Sequence, residues 1–252
     1  MDNITQAFYN SLAHHYDKLF LDWDDATKEQ AVILDKIFCD HGLDKSSRVL
    51  DCACGIGTQA IGLAALGYDI TASDISENAI AEAKKRAFDR GLRIQFEKAD
   101  FCALSECFDE RFDIVIALDN ALPHMLTRPD LESAVKSISA QTKENGIFVA
   151  SIRDYDALLA DKPPYSPPYI HNTGEGKRVS FQVWEWEGEN YRLTQYIIDD
   201  ECELKINKFE CEYRATRRDE LTGILQSSGF GHVVWLFPEA TGFYQPIVVA
   251  RK

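Results

Sequence analysis

No apolar run in this chain reaches the roughly 18 residues that a bilayer-spanning helix requires. Its opening stretch, MDNITQAFYNSLAHHYDKLF, carries acidic, Asn and His residues where a secretory leader would place a basic and then a purely apolar segment. Both absences point to the cytoplasm and away from a membrane. Positive charge is also scarce: 27 Lys and Arg face 41 Asp and Glu, for a formal charge of −14, and no cationic run interrupts that balance. A phosphate backbone is therefore a poor partner, since nonspecific affinity for nucleic acid comes from Lys and Arg. Metal-type cysteine spacing is missing as well. The seven cysteines are odd in number and scattered, and Cys52 and Cys54 lack the second half of a zinc site, so they read as reduced thiols with no metal.

What is present is enough apolar material for a large core: 252 residues, 45% hydrophobic, suit one big domain or a domain with a modest insertion. Residues 3 to 39 are helical in pattern, with Leu12, Tyr16, Leu19 and Phe20 on one stripe and Ile33, Leu34, Ile37 and Phe38 on a second. Between the stripes, Asp22-Trp23-Asp24-Asp25 is suited to capping the second helix, and Gly42 to ending it. From Arg48 onward strand and helix alternate. Strands are expected at 48–53, 69–73, 93–97, 112–118 and 147–152, with helices after Gly57 and after Ser76. That alternation predicts a doubly wound parallel sheet, whose ligands sit beyond the carboxyl ends of its strands.

After Tyr155 the texture changes. Asp161 to Pro168 holds four of the eight prolines, which cannot continue a helix or a central strand. Beyond it, 178–186 and 190–199 form an expected hairpin around Glu187-Gly188-Glu189, with another strand over 201–214. A helix at 218–227 and strands at 232–237 and 245–251 return to the parallel unit. The expected division is thus a helical cap over 1–44, an α/β domain over 45–155 and 215–252, and an antiparallel β insertion over 156–214 that covers the substrate.

The glycine turn Gly55-Ile56-Gly57-Thr58-Gln59-Ala60 fits the loose dinucleotide pattern and by itself suits an NAD-dependent dehydrogenase as well as other nucleotide users. The acids around it separate these. Asp51 precedes the turn, where it can meet an amino-acid ammonium but would repel a pyrophosphate. Asp74 ends the next strand, and its two oxygens can accept ribose hydroxyls. Asp100 ends the third, a candidate acceptor for an adenine amino group with the ring against Ile75 or Phe101. Three carboxylates suit an adenosine joined to a cationic sulfonium amino acid.

The stretch Val49-Leu50-Asp51-Cys52-Ala53-Cys54-Gly55-Ile56-Gly57-Thr58 resembles the cofactor motif of class I S-adenosylmethionine-dependent methyltransferases, and its wording looks like the glycine/sarcosine N-methyltransferase group. Ala117 to His124, Ser151 to Asp156 and Tyr16 to Asp24 add to that likeness. The resemblance implies a Rossmann-like, seven-stranded, mostly parallel sheet with an antiparallel last strand. It also implies S-adenosylmethionine as cofactor, S-adenosylhomocysteine as product, and Asp51, Ala53, Gly55, Gly57, Asp74, Ile75, Asp100, Phe101 and Leu118 around the cofactor. The chain departs from the subgroup at Asp119, Pro123 and Ile152, where Gly, an alcohol or aromatic residue, and His or Gln are expected.

A sulfonium methyl is already activated, so the remaining task is to hold a lone pair in line, about 3 Å from the methyl carbon, with water excluded. Arg153, at a strand end, can hold an acceptor carboxylate through its fork, a role the resemblance also implies; the competing expectation is a salt bridge to Asp154 or Asp156. Asn120 offers an amide, and His124 is either a base or an orienting group. Asp119 can attract a cationic acceptor. Tyr9, Tyr16, Trp23 and Tyr244 are aromatic candidates around the mouth, Tyr16 directed at the sulfonium. Trp184 and Trp186 share one strand face.

The expected activity is methyl transfer to a small amine such as a glycine-like acceptor with a carboxylate. An oxygen, sulfur or carbon acceptor, a non-catalytic cofactor-binding protein and a dehydrogenase are the alternatives. Either a monomer or a homodimer fits.

Overall fold

A computed structural model describes residues 3–174, 176–200 and 203–252. Glu201 and Cys202, the start of one expected strand, and Met1 and Asp2 of the expected cap lie outside the described residues. The chain opens with α1 (Asn3–Leu12), a 3₁₀ turn (Ala13–Leu19) and α2 (Trp23–Asp40). Asp22 caps α2 by accepting the Asp25 N–H, satisfying one of the donors a helix start leaves open. Then β1 (Arg48–Asp51), α3 (Thr58–Ala65), β2 (Asp69–Asp74), α4 (Glu77–Asp89), β3 (Gln95–Lys98), β4 (Phe112–Ala117), α5 (Arg128–Gln141) and β5 (Thr142–Ser151) alternate. After α6 (Tyr155–Asp161) come β6 (Tyr169–Thr173), β7 (Gly176–Glu187), β8 (Asn190–Asp200) and β9 (Lys205–Arg214). The chain closes with α7 (Arg218–Ser227), β10 (His232–Leu236), α8 (Pro238–Thr241) and β11 (Ile247–Arg251).

Seven strands form one sheet in the order β10-β11-β5-β4-β1-β2-β3. The pairs from β5 to β3 are parallel, while β11 runs antiparallel to both β5 and β10. This is the expected Rossmann-like sheet with an antiparallel last strand. Its central strands are apolar at successive positions because both faces are covered. Val115 and Phe148 pack toward α5, α7 and the inner face of the second sheet; Ile114, Ile116 and Val149 pack toward α2, α3 and α4.

The second sheet is antiparallel, in the order β6-β7-β8-β9. Here the alternation has period two. Gln182, Trp184 and Trp186 on β7 face the same way as Tyr191, Leu193 and Gln195 on β8 and Phe209, Cys211 and Tyr213 on β9, as their register partners show. Trp184 and Trp186 do share a face, and it is turned onto the core. β6 is a strand where only a proline-bearing loop is expected. The four prolines end at Pro168, so 169–173 keep every N–H needed to pair with β7.

Candidate active site

The order of the large sheet reverses between β1 and β4, and the crevice at that switch point is where ligands bind in open α/β sheets. The turn after β1 is built there. Cys52 donates its backbone N–H to Ile116 and Cys54 to Ser73, tying the turn to both neighbouring strands. Gly57 caps α3 with φ +94, a left-handed conformation that calls for glycine, and a Cβ on it would lie 2.9 Å from the Ile61 terminal methyl, which would have to shift.

Asp74 locks the turn from β2. One carboxylate oxygen accepts the Gly55 N–H at 2.8 Å and the other the Ser76 N–H at 2.8 Å. Each oxygen keeps a further lone pair. Burial raises the Asp74 carboxyl above its ordinary range, opposed by those two N–H donors. Asp51 is 1% exposed; one oxygen accepts the Ala53 N–H at 3.3 Å, and the other is buried with no hydrogen-bond partner among the described residues. Burial pushes its pKa well up, and the neighbouring Asp74 and Asp119 add to the rise.

Beyond this turn lies a cavity of about 560 Å³, part of it open to solvent. Of the residues expected around a cofactor, Ala53, Gly55, Asp74, Ile75, Phe101 and Leu118 line it, and so do Tyr9, Tyr16, Asp119 and His124 from the acceptor set. Cys52, Cys54, Thr58, Gln59, Ala99 and Ala121 complete the lining; Thr58 and Gln59 stand inside the glycine motif, which was the available signal. Asp51, Gly57, Asp100, Asn120, Arg153 and Tyr244 are not in that lining. Asp100 caps the 3₁₀ turn Phe101–Glu106, accepting the Cys102 N–H at 2.9 Å.

Trp23 requires a correction, because it is buried beneath Arg86 and Arg90 rather than placed at the mouth of the cavity. It is 6% exposed, with the Arg86 guanidinium 4.6 Å from its ring centroid and its indole N–H on Thr58 Oγ1 at 3.0 Å. As the first residue of α2 it packs behind the turn, so its aromatic bulk is spent on α2–α4 packing.

After β4 the chain makes an unusual bend: Asp119 and Asn120 both adopt left-handed backbone, φ +55 and +68. For non-glycine residues this costs on the order of 1 kcal/mol each, least for Asp and Asn. Compensation comes from the end of β5, where the Ser151 hydroxyl and carbonyl accept the Asp119 and Asn120 N–H groups. The Asp119 carboxylate reaches across the mouth, accepting from Gln59 Nε2 at 3.0 Å and from the Tyr244 hydroxyl at 2.7 Å. Burial raises its pKa and these donors restrain it. Tyr244 itself is 57% exposed and stands at the rim.

Asn120 points the other way, into a buried cluster. Its Oδ1 accepts the Arg153 backbone N–H at 3.1 Å, and its amide meets the Tyr155 hydroxyl, which touches the Tyr191 hydroxyl at 2.9 Å. Arg153 follows from there. Its guanidinium donates to Tyr191 Oη at 3.1 Å and Gln182 Oε1 at 2.9 Å, and it lies 5.0 Å and 5.5 Å from the ring centroids of Trp184 and Tyr213. The alternative of a salt bridge to Asp154 or Asp156 does not hold, since Arg218 takes both, at 2.5 and 3.2 Å. Tyr155, Gln182, Tyr191 and Tyr213 were not foreseen, because they arrive from α6 and the β insertion.

His124 is 5% exposed. Its Nδ1 faces the Glu212 carbonyl at 3.2 Å, and a carbonyl can only accept, so Nδ1 carries a proton, while Nε2 lies 2.9 Å from the Tyr9 hydroxyl. The Tyr213 ring lies against it, centroids 4.1 Å apart.

The crevice therefore gathers Asp51, Asp74 and Asp119, three carboxylates that no Lys or Arg pairs with among the described residues, around a glycine turn. A diphosphate would be repelled there, and a buried oxygen of Asp51 waits for a donor; an adenosyl sulfonium with an ammonium supplies what is missing. This is the charge pattern of a methyltransferase rather than a dehydrogenase. Sequence comparison agrees. A methyltransferase domain family matches residues 49–146. A glycine/sarcosine N-methyltransferase of Parasynechococcus marenigrum is 30% identical over 231 residues, covering 91% of this chain and 80% of the relative. Among solved structures, an S-adenosylmethionine-dependent methyltransferase from Clostridium acetobutylicum superposes with a TM-score of 0.75 at 20% identity, covering 96% of this chain and 98% of the other. An amino pentose methyltransferase from Micromonospora echinaspora, bound to S-adenosylmethionine, gives 0.75 at 16% identity over 89% and 91%. The chain belongs to the class I S-adenosylmethionine-dependent methyltransferases and is an enzyme of that class, with glycine/sarcosine N-methyltransferases among its relatives.

Proposed function

We propose that this enzyme methylates the nitrogen of a small amine that carries a carboxylate, a glycine- or sarcosine-like acceptor. One observation carries the reading: Arg153, half-buried at the end of β5, has only neutral partners, namely a tyrosine hydroxyl, a glutamine oxygen and two aromatic faces. Among the described residues no carboxylate pairs with it. A desolvated cation without a counter-ion gains most from an anionic ligand group, and its planar fork suits a carboxylate. The relatives' named activity supports the same acceptor.

S-adenosylmethionine, when bound, supplies a methyl group already activated on a sulfonium. Asp51, Ala53, Gly55 and Gly57 would hold its amino-acid end, Asp74 the ribose, and Ile75, Asp100, Phe101 and Leu118 the adenine. Arg153 holds the acceptor carboxylate, and its positive charge favours the neutral amine over the ammonium. Tyr9, which lines the cavity with its hydroxyl 2.9 Å from His124 Nε2, is placed to accept an amine N–H and aim the nitrogen lone pair. His124 then acts through Tyr9. Burial raises the Tyr16 pKa far above its usual value, so its hydroxyl stays neutral beside the methyl position. Asn120 fixes the Arg153 backbone, Asp119 and Tyr244 close the rim, and the insertion 156–214 covers the acceptor and excludes water. The unpaired thiols of the described cysteines suit the cytoplasm.

The test is a panel of amines with and without a carboxylate, product formation read by mass spectrometry. Arg153→Ala should raise KM for the carboxylated acceptor about 10- to 100-fold, the worth of a charged hydrogen bond, and leave S-adenosylhomocysteine binding intact. No methylated amino acid from the wild type, or an unchanged KM in the variant, sinks the assignment.

A further inference from the structure

Gln182 has no part in the reading above beyond touching Arg153, yet its orientation is determined by a chain of donors and acceptors. The chain starts at Gln195 on β8, 3% exposed. Both of its amide hydrogens are used: Nε2 donates to the backbone carbonyls of Phe181 at 3.1 Å and Tyr196 at 3.0 Å. Only its oxygen remains to face Gln182, so Gln182 must present its nitrogen there, and does so at 2.9 Å. An amide has one oxygen and one nitrogen. The Gln182 oxygen is consequently turned to the other side, where it accepts from Arg153 Nη2 at 2.9 Å and from Trp184 Nε1 at 3.0 Å. A flipped amide would set N–H groups against a guanidinium and an indole N–H. The backbone at Gln182 is clamped in addition, donating to Ser166 Oγ and accepting from the Ser166 N–H.

We infer that Gln182, oriented by Gln195, is a specificity-determining positioning residue that holds the Arg153 guanidinium by an uncharged oxygen, so that the positive charge stays available to an acceptor carboxylate. The inference rests on the acceptor reading above. A carboxylate side chain at position 182 would occupy the same space and make the same hydrogen bonds to Arg153 and Trp184, but it would neutralise the guanidinium and, like Met, give up the donor to Gln195. The protein would then contain the group that the acceptor is meant to bring. Neutrality at this position, more than shape, is what separates carboxylated from uncarboxylated amines.

The experiment compares wild type, Arg153→Ala, Gln182→Glu and Gln182→Met with S-adenosylmethionine and two acceptors, glycine and ethanolamine, the second lacking a carboxylate. Gln182→Glu should raise KM for glycine about 10- to 100-fold, the range for a charged hydrogen bond lost, with kcat held within about threefold and KM for ethanolamine unchanged. Gln182→Met, neutral and of similar volume, should raise the glycine KM less than Gln182→Glu does. S-adenosylhomocysteine affinity and the thermal midpoint report folding. If Gln182→Glu keeps the wild-type KM for glycine, or raises both acceptor KM values together, the inference is overturned while a glycine-selective effect of Arg153→Ala still upholds the acceptor reading. If Arg153→Ala raises KM for glycine no more than it raises KM for ethanolamine, the reading and the inference fall together.

Discussion

The carboxylate of Asp74 accepts the Gly55 N–H at 2.8 Å, so the acid at the end of β2 and the glycine turn after β1 are one structural unit. A ligand that meets Asp74 meets a group already fixed by two backbone donors. Asp74→Asn keeps the shape but sets an amide N–H against one of those donors. It should weaken S-adenosylhomocysteine binding by about tenfold or more and destabilise the protein by about 1–3 kcal/mol, the penalty for an unsatisfied buried donor. Calorimetric titration and urea unfolding read the two effects separately.

Asp51 makes the site sensitive to acid. Its pKa, like that of Asp74, is raised in the folded protein, chiefly by burial. The folded state then binds protons more readily than the unfolded chain, so this contribution to stability is present below the ordinary carboxylate range and is lost as pH rises through the folded pKa. The cationic cofactor needs the opposite, ionised form. Ligand-free protein should therefore lose part of its stability on going from mildly acidic to neutral pH, while cofactor affinity rises over the same interval. Asp51→Asn should raise the thermal midpoint of the ligand-free protein at neutral pH, about 2–4 °C for each kcal/mol relieved, and weaken cofactor binding. A variant less stable than wild type at neutral pH would show that the buried charge is not a burden.

Gly62 and Gly223 look alike in sequence, each inside a helix. At Gly62 on α3 a Cβ would lie 2.5 Å from the Thr27 carbonyl oxygen and 2.8 Å from the Ala31 Cβ, both on α2; at Gly223 on α7 nothing lies within 4 Å. Gly62→Ala should destabilise by about 1–3 kcal/mol or more through overpacking. Gly223→Ala should stabilise by about 0.5–1 kcal/mol through helix propensity. The measurement is the urea midpoint at constant slope. Effects of the same sign at both positions would contradict the packing described for α2 on α3.

The amino-acid sequence by itself determined the parallel unit, because apolar runs of strand length alternating with capped helices admit few other arrangements. It also determined the glycine turn with Asp51 and Asp74, whose roles are local to two adjoining strand ends. Sequence likeness carried this as far as the antiparallel last strand. It left β6 undetected, since a five-residue strand beside four prolines has no periodicity of its own, and it misplaced Trp23, whose burial depends on where α4 sets Arg86. The surroundings of Arg153 were decided by tertiary structure alone. Gln182, Tyr191 and Tyr213 lie 29, 38 and 60 residues further along the chain, on three strands whose register turns them to one face, and only folding of that sheet onto the core brings them to the guanidinium. Whether Arg153 would be paired with Asp154, one residue away, or left without a counter-ion rested on the distant Arg218, and no local pattern encodes that competition.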